Sequence, residues 1–272
     1  MPTYIQPFGF ILLRVTGAAI LFWLVSIFKP WEKIERKDWP RLVACAIFGM
    51  VINMLFFFQG LNMSTPINSS VITTLSPVMV IILSAFLLKE RITLLKISGI
   101  IVGLAGALFL VFFSKNSNQT AANIPLGNLF FIVNALSFGV YLIIVKPLAR
   151  KYDTITLMKW IFSIAVIINF PITFSEFQEV QWQSLPFEAI WKMGFVVVGT
   201  TFFTYLLNLY ALKYLSASTL SAFIYLQPLI AIFYSITTGA DTLNTIKIVA
   251  AILVFVGVYM VSKNPTTTAQ KD

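Results

Sequence analysis

Long apolar runs dominate the pattern of this chain, and short polar connections separate them. A run of about 20 apolar residues is long enough to cross a hydrocarbon core about 30 Å thick as a helix. Nine runs approach that length, at residues 8–28, 42–61, 66–88, 94–113, 127–145, 154–174, 189–211, 216–238 and 243–262. They lack the period-two alternation of barrel strands, so the pattern predicts an all-α, polytopic membrane protein with nine transmembrane helices.

Composition supports this class. Of the 272 residues, 58% are hydrophobic and only 11% are charged, which is too few charges to cover a water-exposed globule. The longest polar connection, residues 114–125, leaves no room for a soluble domain between spans. The lipid bilayer is therefore the main expected partner.

The net charge of +9 is concentrated in loops that fall on one side when the spans alternate. These basic residues are Lys29, Lys33, Arg36, Lys37, Arg41, Lys89, Arg91, Lys96, Lys146, Arg150 and Lys151. A loop on the opposite side carries Glu176, Glu179 and Glu188 without Lys or Arg. By the positive-inside rule, the basic loops and the C-terminal tail, residues 264–272, are predicted to be cytoplasmic. The positive excess is thus a topology signal, and nucleic acid is not an expected partner.

The chain also contains an internal repeat, because residues 61–111 align with residues 212–262 at a constant offset of 151 positions. Leu75-Ser76-Pro77 falls on Leu226-Gln227-Pro228 under this offset. The copies lie five spans apart, and an odd separation inverts the second copy in the membrane. We predict two inverted-topology repeats, residues 1–115 and 116–263, of five helices each in the complete architecture, with the first helix of the first repeat missing. A genuine nine-helix variant is the alternative.

Carriers built from inverted repeats place their site near the bilayer midplane, on discontinuous helices and polar side chains. Pro77 and Pro228 are a repeat-matched pair of helix interruptions, which either line a pocket or only bend their helices. The polar pocket candidates are Asn53, Thr73, Ser76, Asn134, Ser137, Tyr141, Thr204, Asn208, Tyr225 and Gln227. Hydrogen bonding between helices is the alternative role for each of them. Asn134 and Tyr141 are the strongest pair, since a separation of seven residues puts them on one helix face.

Ionisable residues inside spans are rare and often functional. Arg14 lies about 9 Å into the first predicted helix. Its functional role would be in a gate or in attracting anionic substrate groups, and its structural role would be pairing with helix-end carbonyls or lipid phosphate. Glu90, at a helix end, is the second gate or charge candidate. Lys159 is closer to its helix end, and a structural role is expected for it.

Catalysis is not expected. The chain has no His, and the spans contain no pair of Asp residues deep in the membrane. We therefore predict no catalytic residues, no metal site and no cofactor. Cys45, the single cysteine, lies in an apolar run and is expected to be a small core residue.

Several segments resemble the EamA-type permeases of the drug/metabolite transporter superfamily. They are the Arg14-containing run with Ala18 and Ala19, the Leu75-Ser76-Pro77 step, the Lys89-Glu90-Arg91 turn, and the helix with Gly99, Gly103 and Gly106. The resemblance covers essentially the full chain, although the second-half turn carries Asp241 without a basic partner. It implies a ten-helix carrier in the inner (plasma) membrane that exports amino acids or other small metabolites.

Two further expectations complete the prediction. The chain is interpreted as a secondary transporter that works by alternating access on a small-molecule substrate; a channel or a non-transporting membrane assembly protein is the alternative. Gly99, Gly103 and Ala107 form a small-residue stripe that packs helices, within the molecule or between two copies in a homodimer.

Overall fold

A computed structural model describes residues 4–64, 66–87, 93–113, 123–237 and 245–263. Every regular element in these ranges is helical. The α-helices are α1 (Pro7–Ser26), α2 (Trp39–Ala46), α3 (Asn53–Met63), α4 (Pro66–Thr73), α5 (Ser76–Leu87), α6 (Leu94–Phe113), α7 (Ile124–Lys151), α8 (Thr154–Gln178), α9 (Phe187–Phe195), α10 (Thr204–Leu212), α11 (Ala217–Ala222), α12 (Leu226–Thr237) and α13 (Thr245–Ser262).

Five continuous helical stretches of the described residues are long and apolar enough to cross a membrane. They are Pro7–Ser26, Arg36–Met63, Ile124–Lys151, Thr154–Gln178 and Phe187–Leu212. Shorter apolar helices occupy the remaining predicted runs. The predicted all-α, polytopic membrane fold is therefore confirmed.

The third and eighth predicted runs are each split. Residues Thr74 and Leu75 separate α4 from α5, and a 3-10 turn, Phe223–Tyr225, separates α11 from α12. The sequence placed Pro77 and Pro228 in the middle of bent helices, but both fall in the first turn of a new helix. Proline is tolerated there because the first-turn N–H groups have no partner within the helix.

The second and seventh runs are interrupted differently, by π-helical segments. Ile47–Ile52 joins α2 to α3, and Val196–Phe203 joins α9 to α10. Under the 151-residue offset of the repeat, the first segment falls on residues 198–203, inside the second. Such segments are rare in helices and often lie at functional sites.

The described helices belong to two compact units, which do not coincide with the two sequence repeats. Unit 1 comprises Met1–Ser69 and Ala121–Leu215, and unit 2 comprises Ser70–Thr120 and Ser216–Asp272. Each unit thus takes helices from both repeats, since a helix packs on its neighbours in space rather than on its neighbours in sequence. The division of the chain into residues 1–115 and 116–263 stays a prediction about its symmetry.

Unit 2 is centred on α6 packed along α13. A Cβ atom added at Gly99 would lie 2.8 Å from the carbonyl oxygen of Gly257, and one at Gly103 would lie 2.6 Å from the Tyr225 ring. Ala107 is fully buried in the same interface. The small-residue stripe therefore packs helices within the molecule, which is one of the two roles expected for it.

Unit 1 is centred on α1 packed antiparallel along α8. At one end, which we call the acidic end, the Glu176 carboxylate accepts hydrogen bonds from the N–H groups of Phe8 (2.7 Å) and Gly9 (3.1 Å). This caps α1 because its first N–H groups have no partner within the helix. The opposite end, which we call the basic end, carries the loop 27–38 and the connection 152–153 between α7 and α8.

Candidate substrate site

Arg14 is a charged side chain within α1, the first membrane-spanning helix of unit 1. It is half-buried, and its Nε donates a hydrogen bond to Thr201 Oγ1 at 3.0 Å. Its guanidinium carbon lies 5.9 Å from the centre of the Phe58 ring. None of the ion pairs among the described residues involves Arg14. The guanidinium is thus held by a hydroxyl and a ring, without a carboxylate from the described part of the protein.

Thr201 is positioned by the π-helical segment that contains it. Its side chain is fully buried, and its hydroxyl donates to the Val196 carbonyl at 2.9 Å while accepting from Arg14. Gly17 allows α1 to approach this segment, since a Cβ there would lie 2.6 Å from Val197 Cγ1. Both hydrogen-bonding directions of the hydroxyl are used, so the orientation of Thr201 and of the guanidinium is well defined.

The other π-helical segment is contacted by two tyrosines. Tyr205 donates its hydroxyl to the Gly49 carbonyl at 3.1 Å. The Tyr141 ring packs directly on Gly49, where an added Cβ would lie 2.5 Å from Cδ2 of the ring. The two tyrosine rings are 6.4 Å apart, centre to centre, in an edge-to-face arrangement. Gly49 is therefore required for the close approach of α7 and α10 to this segment.

The Tyr141 hydroxyl is a buried polar group that the described residues leave without a hydrogen-bond partner. The residue itself is only 1% exposed. Buried polar groups are almost always hydrogen-bonded, so an orphan hydroxyl marks a place where a ligand or water completes the structure. Of the polar pocket candidates in unit 1, Tyr141 best fits a ligand contact.

Asn53 and Asn134 instead bind each other's helices. The Asn53 amide donates to the Asn134 carbonyl at 3.2 Å, and the Asn134 amide donates to the Asn53 carbonyl at 2.7 Å. Ser137 similarly donates to the Phe48 carbonyl. These bonds join α7 to the second helical stretch, and they match the alternative role expected for polar residues in spans. The side-chain oxygens of both asparagines are left as acceptors within the described residues.

Thr204 and Asn208, the remaining polar candidates of unit 1, both lie on α10. Thr204 is exposed on the surface of unit 1, and its hydroxyl donates to the Gly199 carbonyl at 3.1 Å. Asn208 is half-buried one turn further along. A substrate contact for either residue stays a prediction.

The other candidates belong to unit 2. Thr73 ends α4, and Ser76 and Pro77 are buried at the start of α5. Tyr225 is fully buried, with a hydroxyl that has no partner among the described residues. Gln227 is exposed at the start of α12, and only the backbone of Pro228 is described. Glu90 lies outside the described residues.

Sequence reasoning missed four residues that the structure places around these groups: Gly49, Phe58, Thr201 and Tyr205. A signal existed for Thr201, because Thr200 and Thr201 are adjacent hydroxyls within an otherwise apolar run. Tyr205, Phe58 and Gly49 resemble ordinary membrane-helix residues in sequence. Their importance follows from contacts between helices that are distant in the chain.

Two of the cavities at the surface of unit 1 differ in polarity. A polar one of about 440 Å³ at the acidic end is lined by residues that include Tyr4, Gln6, Glu176, Glu179 and Ser184. An apolar one of about 490 Å³ lies between α1 and the α9 stretch, with Leu13, Gly17 and Val197 in its wall. Small-molecule sites combine apolar walls with a few polar groups, so each cavity offers one of the two kinds of surface.

Lys159, at the basic end, is enclosed rather than open. Its side chain is 2% exposed, and Nζ lies 4.4 Å from the centre of the Trp31 ring and 4.9 Å from that of Trp23. Glu32 is its electrostatic partner. The predicted structural role of Lys159 agrees with these contacts.

These helices and interrupted spans define a polytopic membrane transporter fold. One solved crystal structure matches 94% of this chain and 87% of its own chain with a TM-score of 0.76, at 18% sequence identity. The family model of the EamA-like transporter family matches residues 1–112 and 125–263. The chain therefore belongs to the EamA-like transporter family, as its resemblance predicted.

Related proteins agree with this assignment. A protein of Archaeoglobus fulgidus named as an uncharacterized transporter is 28% identical over 258 residues, covering 95% of this chain and 89% of the relative. The Bacillus subtilis uncharacterized transporter YoaV is 24% identical over 259 residues, covering 94% and 87%. The chain is thus a multi-pass membrane protein and a transporter of this family.

Proposed function

We propose that this protein is a secondary transporter that exports small metabolites, amino acids or related compounds, across the inner membrane by alternating access. In this proposal it is not an enzyme, its basic loops and C-terminus are cytoplasmic, and its two repeats have inverted topology. The charge distribution supports the orientation, because the basic end of unit 1 carries the Lys- and Arg-rich loop.

The observation that carries the proposal is the matched pair of π-helical segments, Ile47–Ile52 and Val196–Phe203. They interrupt repeat-related helices at equivalent positions. Alternating access in inverted-repeat carriers moves one set of helices against another around a central site. Paired irregular segments supply equivalent places where the two helices bend, one for each direction of opening.

Polar groups next to these segments support an amino-acid substrate. Among the described residues, the Tyr141 hydroxyl beside Gly49 has no hydrogen-bond partner, and the side-chain oxygens of Asn53 and Asn134 are available acceptors. An ammonium group needs acceptors of this kind, and an apolar substrate side chain needs aromatic surface such as that of Tyr141 and Phe138.

Counterflow in proteoliposomes tests the proposal. Vesicles preloaded with a mixed panel of amino acids and metabolites are diluted into isotope-labelled compounds, and uptake is read by mass spectrometry. We expect saturable exchange of one chemical class by the wild-type protein. Single-channel currents, or no exchange of any compound by folded protein, would contradict it.

Matched glycine variants test the role of the π-helical segments. Gly49→Ala places a methyl group against the Tyr141 ring, whereas Gly199→Ala meets only ordinary contacts, the nearest at 3.5 Å on Phe195 of its own stretch. We expect Gly49→Ala to reduce counterflow at least about tenfold more than Gly199→Ala at equal amounts of folded protein. If both variants reduced counterflow equally, the contact between Gly49 and the Tyr141 ring would no longer support the proposal.

A further inference from the structure

Arg14 is a half-buried cation in unit 1, and the described residues supply no carboxylate to neutralise it. It is seven residues from the start of α1, or about 10 Å along the helix. Charged groups in membrane spans pair with one another, with backbone carbonyls or with a ligand, because an isolated charge is strongly unfavourable there. Among the described residues, Arg14 forms no ion pair.

The acidic side chain at the adjacent end of α8 is already engaged. Oε2 of Glu176 accepts from the N–H groups of Phe8 and Gly9 at the start of α1. This hydrogen bonding holds that oxygen at the helix terminus. The positive charge of Arg14 is therefore left for a group that the described residues do not provide.

The hydrogen-bond partner of the guanidinium is a buried side chain. Thr201 is fully buried and accepts the hydrogen bond from Nε of Arg14. An arginine that extends to lipid phosphate would direct its head group towards the nearer membrane surface. The bond to Thr201 thus argues against lipid anchoring as the role of Arg14.

The geometry suits a planar, singly charged anion. Thr201 occupies Nε, and the Phe58 ring lies 5.9 Å from the guanidinium carbon. Within the described residues, no hydrogen bond from either Nη group is found, so their N–H donors can face a ligand. A guanidinium binds a carboxylate through two parallel N–H donors, and a fixed orientation makes this binding specific. The single positive charge of Arg14 balances a carboxylate monoanion, whereas a phosphate dianion needs a second positive charge.

We infer that Arg14, oriented by Thr201 and Phe58, is the carboxylate-binding subsite of the transporter, so that the substrates carry a free carboxylate. This inference rests on the proposed function and narrows its substrate class to amino acids and other small carboxylic acids. Arg14 makes the ligand contact, and Thr201 is a positioning residue.

The test compares carboxylates with amides of similar shape, in which an uncharged carboxamide replaces the carboxylate. The probes are the proteinogenic amino acids, 3-phenylpropionate, L-leucinamide, L-phenylalaninamide and inorganic phosphate. Binding to detergent-purified full-length protein is measured by ligand-induced thermal stabilisation, and transport is measured separately by counterflow. The variants are Arg14→Gln, Arg14→Lys and, as a matched control at the basic end, Lys159→Gln.

We expect the wild-type protein to bind at least one carboxylate and to discriminate against the corresponding amide. Arg14→Gln should weaken carboxylate binding about 10- to 100-fold, the range expected for losing charged hydrogen bonds, and leave amide binding unchanged. Arg14→Lys should retain part of the discrimination, because the charge remains while the paired donors are lost. Lys159→Gln should leave the discrimination unchanged.

Three results would overturn the inference: no carboxylate binds the wild-type protein, Arg14→Gln keeps wild-type discrimination, or phosphate binds in preference to every carboxylate. Other results would distinguish a failure of the proposed transport function from a failure of the carboxylate subsite. Wild-type protein that binds carboxylates through Arg14 but shows no counterflow would retain the subsite and exclude transport. Counterflow that Arg14→Gln leaves equally selective would retain transport and exclude the subsite.

Discussion

Arg14 and Lys159 are the two basic side chains within the α1–α8 pair, and their surroundings differ. Lys159 is enclosed by the rings of Trp23 and Trp31 and has Glu32 as an electrostatic partner. In the described part of the protein, Arg14 contacts one hydroxyl and one distant ring. A buried cation that the protein satisfies by itself is structural, whereas one that it orients but does not neutralise is prepared for a ligand.

The loop 27–38 completes the enclosure of the basic end. Glu32 accepts from the Asp153 N–H at 2.9 Å, near the start of α8, and Lys29 pairs with Asp153 at 3.5 Å. Lys151 contacts Glu35 at 2.7 Å and Asp38 at 2.6 Å. At the acidic end, the capping bonds of Glu176 hold α1 without enclosing Arg14.

The largest expected effect comes from separating α1 from α8, because this would disrupt the surroundings of both Arg14 and Lys159. A Cβ at Gly9 would lie 2.9 Å from backbone atoms of Glu176 and Phe177, which cannot move aside as a side chain would. We expect Gly9→Val to reduce the unfolding free energy by about 3 kcal/mol. Gly194→Val is the control, since nothing lies within 4 Å of a Cβ there. Similar thermal stability of both variants in detergent would show that the Gly9 contact is not needed.

Double-mutant cycles would sharpen the comparison next. Trp31→Ala with Lys159→Met should give a coupling energy of about 2 kcal/mol, because the ammonium lies 4.4 Å from the ring centre and is enclosed. Phe58→Leu with Arg14→Gln should give about 0.5 kcal/mol, since that distance is 5.9 Å. The unfolding free energy of each single and double variant supplies the measurement. A larger coupling energy at Arg14 than at Lys159 would contradict the interpretation that the protein compensates the charge of Lys159 better than that of Arg14.

Two adjacent threonines allow a smaller effect to be isolated. Thr200 and Thr201 both donate to the Val196 carbonyl, but only Thr201 accepts from Arg14. We expect Thr201→Val to reduce the unfolding free energy by about 1 kcal/mol and to weaken carboxylate discrimination. Thr200→Val, at an exposed position, should leave discrimination unchanged. Thermal unfolding and the acid–amide binding comparison provide the two readouts, and equal discrimination in both variants would contradict a positioning role.

The smallest effect concerns pH at the basic end. Hydrogen bonds from Lys151 and Lys37 hold the pKa of Glu35 below its ordinary value. The stabilisation from Glu35 is therefore present above that ordinary value and is lost as the pH falls through the lowered pKa. Hydrogen exchange of the loop 27–38, corrected for intrinsic rates, should rise as the pH is lowered, and Glu35→Gln should reduce this dependence. Because Glu35 is exposed, the effect is small, and Glu179→Gln at the acidic end is the control.

The membrane-spanning helices were predictable because their signal is local. An apolar run must form a helix in lipid, where each backbone group needs a partner within the same segment. The predicted run at 94–113 coincides with α6, and the run at 154–174 begins where α8 begins. The interruptions were less predictable: proline marked the breaks before α5 and α12, while the π-helical segments have no residue that distinguishes them in sequence.

The candidate site was predictable only in part. Tyr141 and Arg14 stood out as polar groups in apolar runs, and both lie beside the interrupted helices. Asn53 and Asn134 stood out equally, yet they bind each other's helices. The sequence shows which side chains are polar. It does not show their hydrogen-bond partners, because those lie on other helices.

The sequence by itself determined the class of this protein: its helices, its membrane environment, its internal repeat and its family, because apolar length, charge asymmetry and motif spacing are written along the chain. Only the tertiary structure decided which helices pack into unit 1 and unit 2. It also distinguished Arg14 from Lys159, two basic residues in comparable apolar runs. The physical reason is that compensation of a buried charge depends on groups brought near it by packing, such as Thr201 for Arg14 and the ring of Trp31 for Lys159.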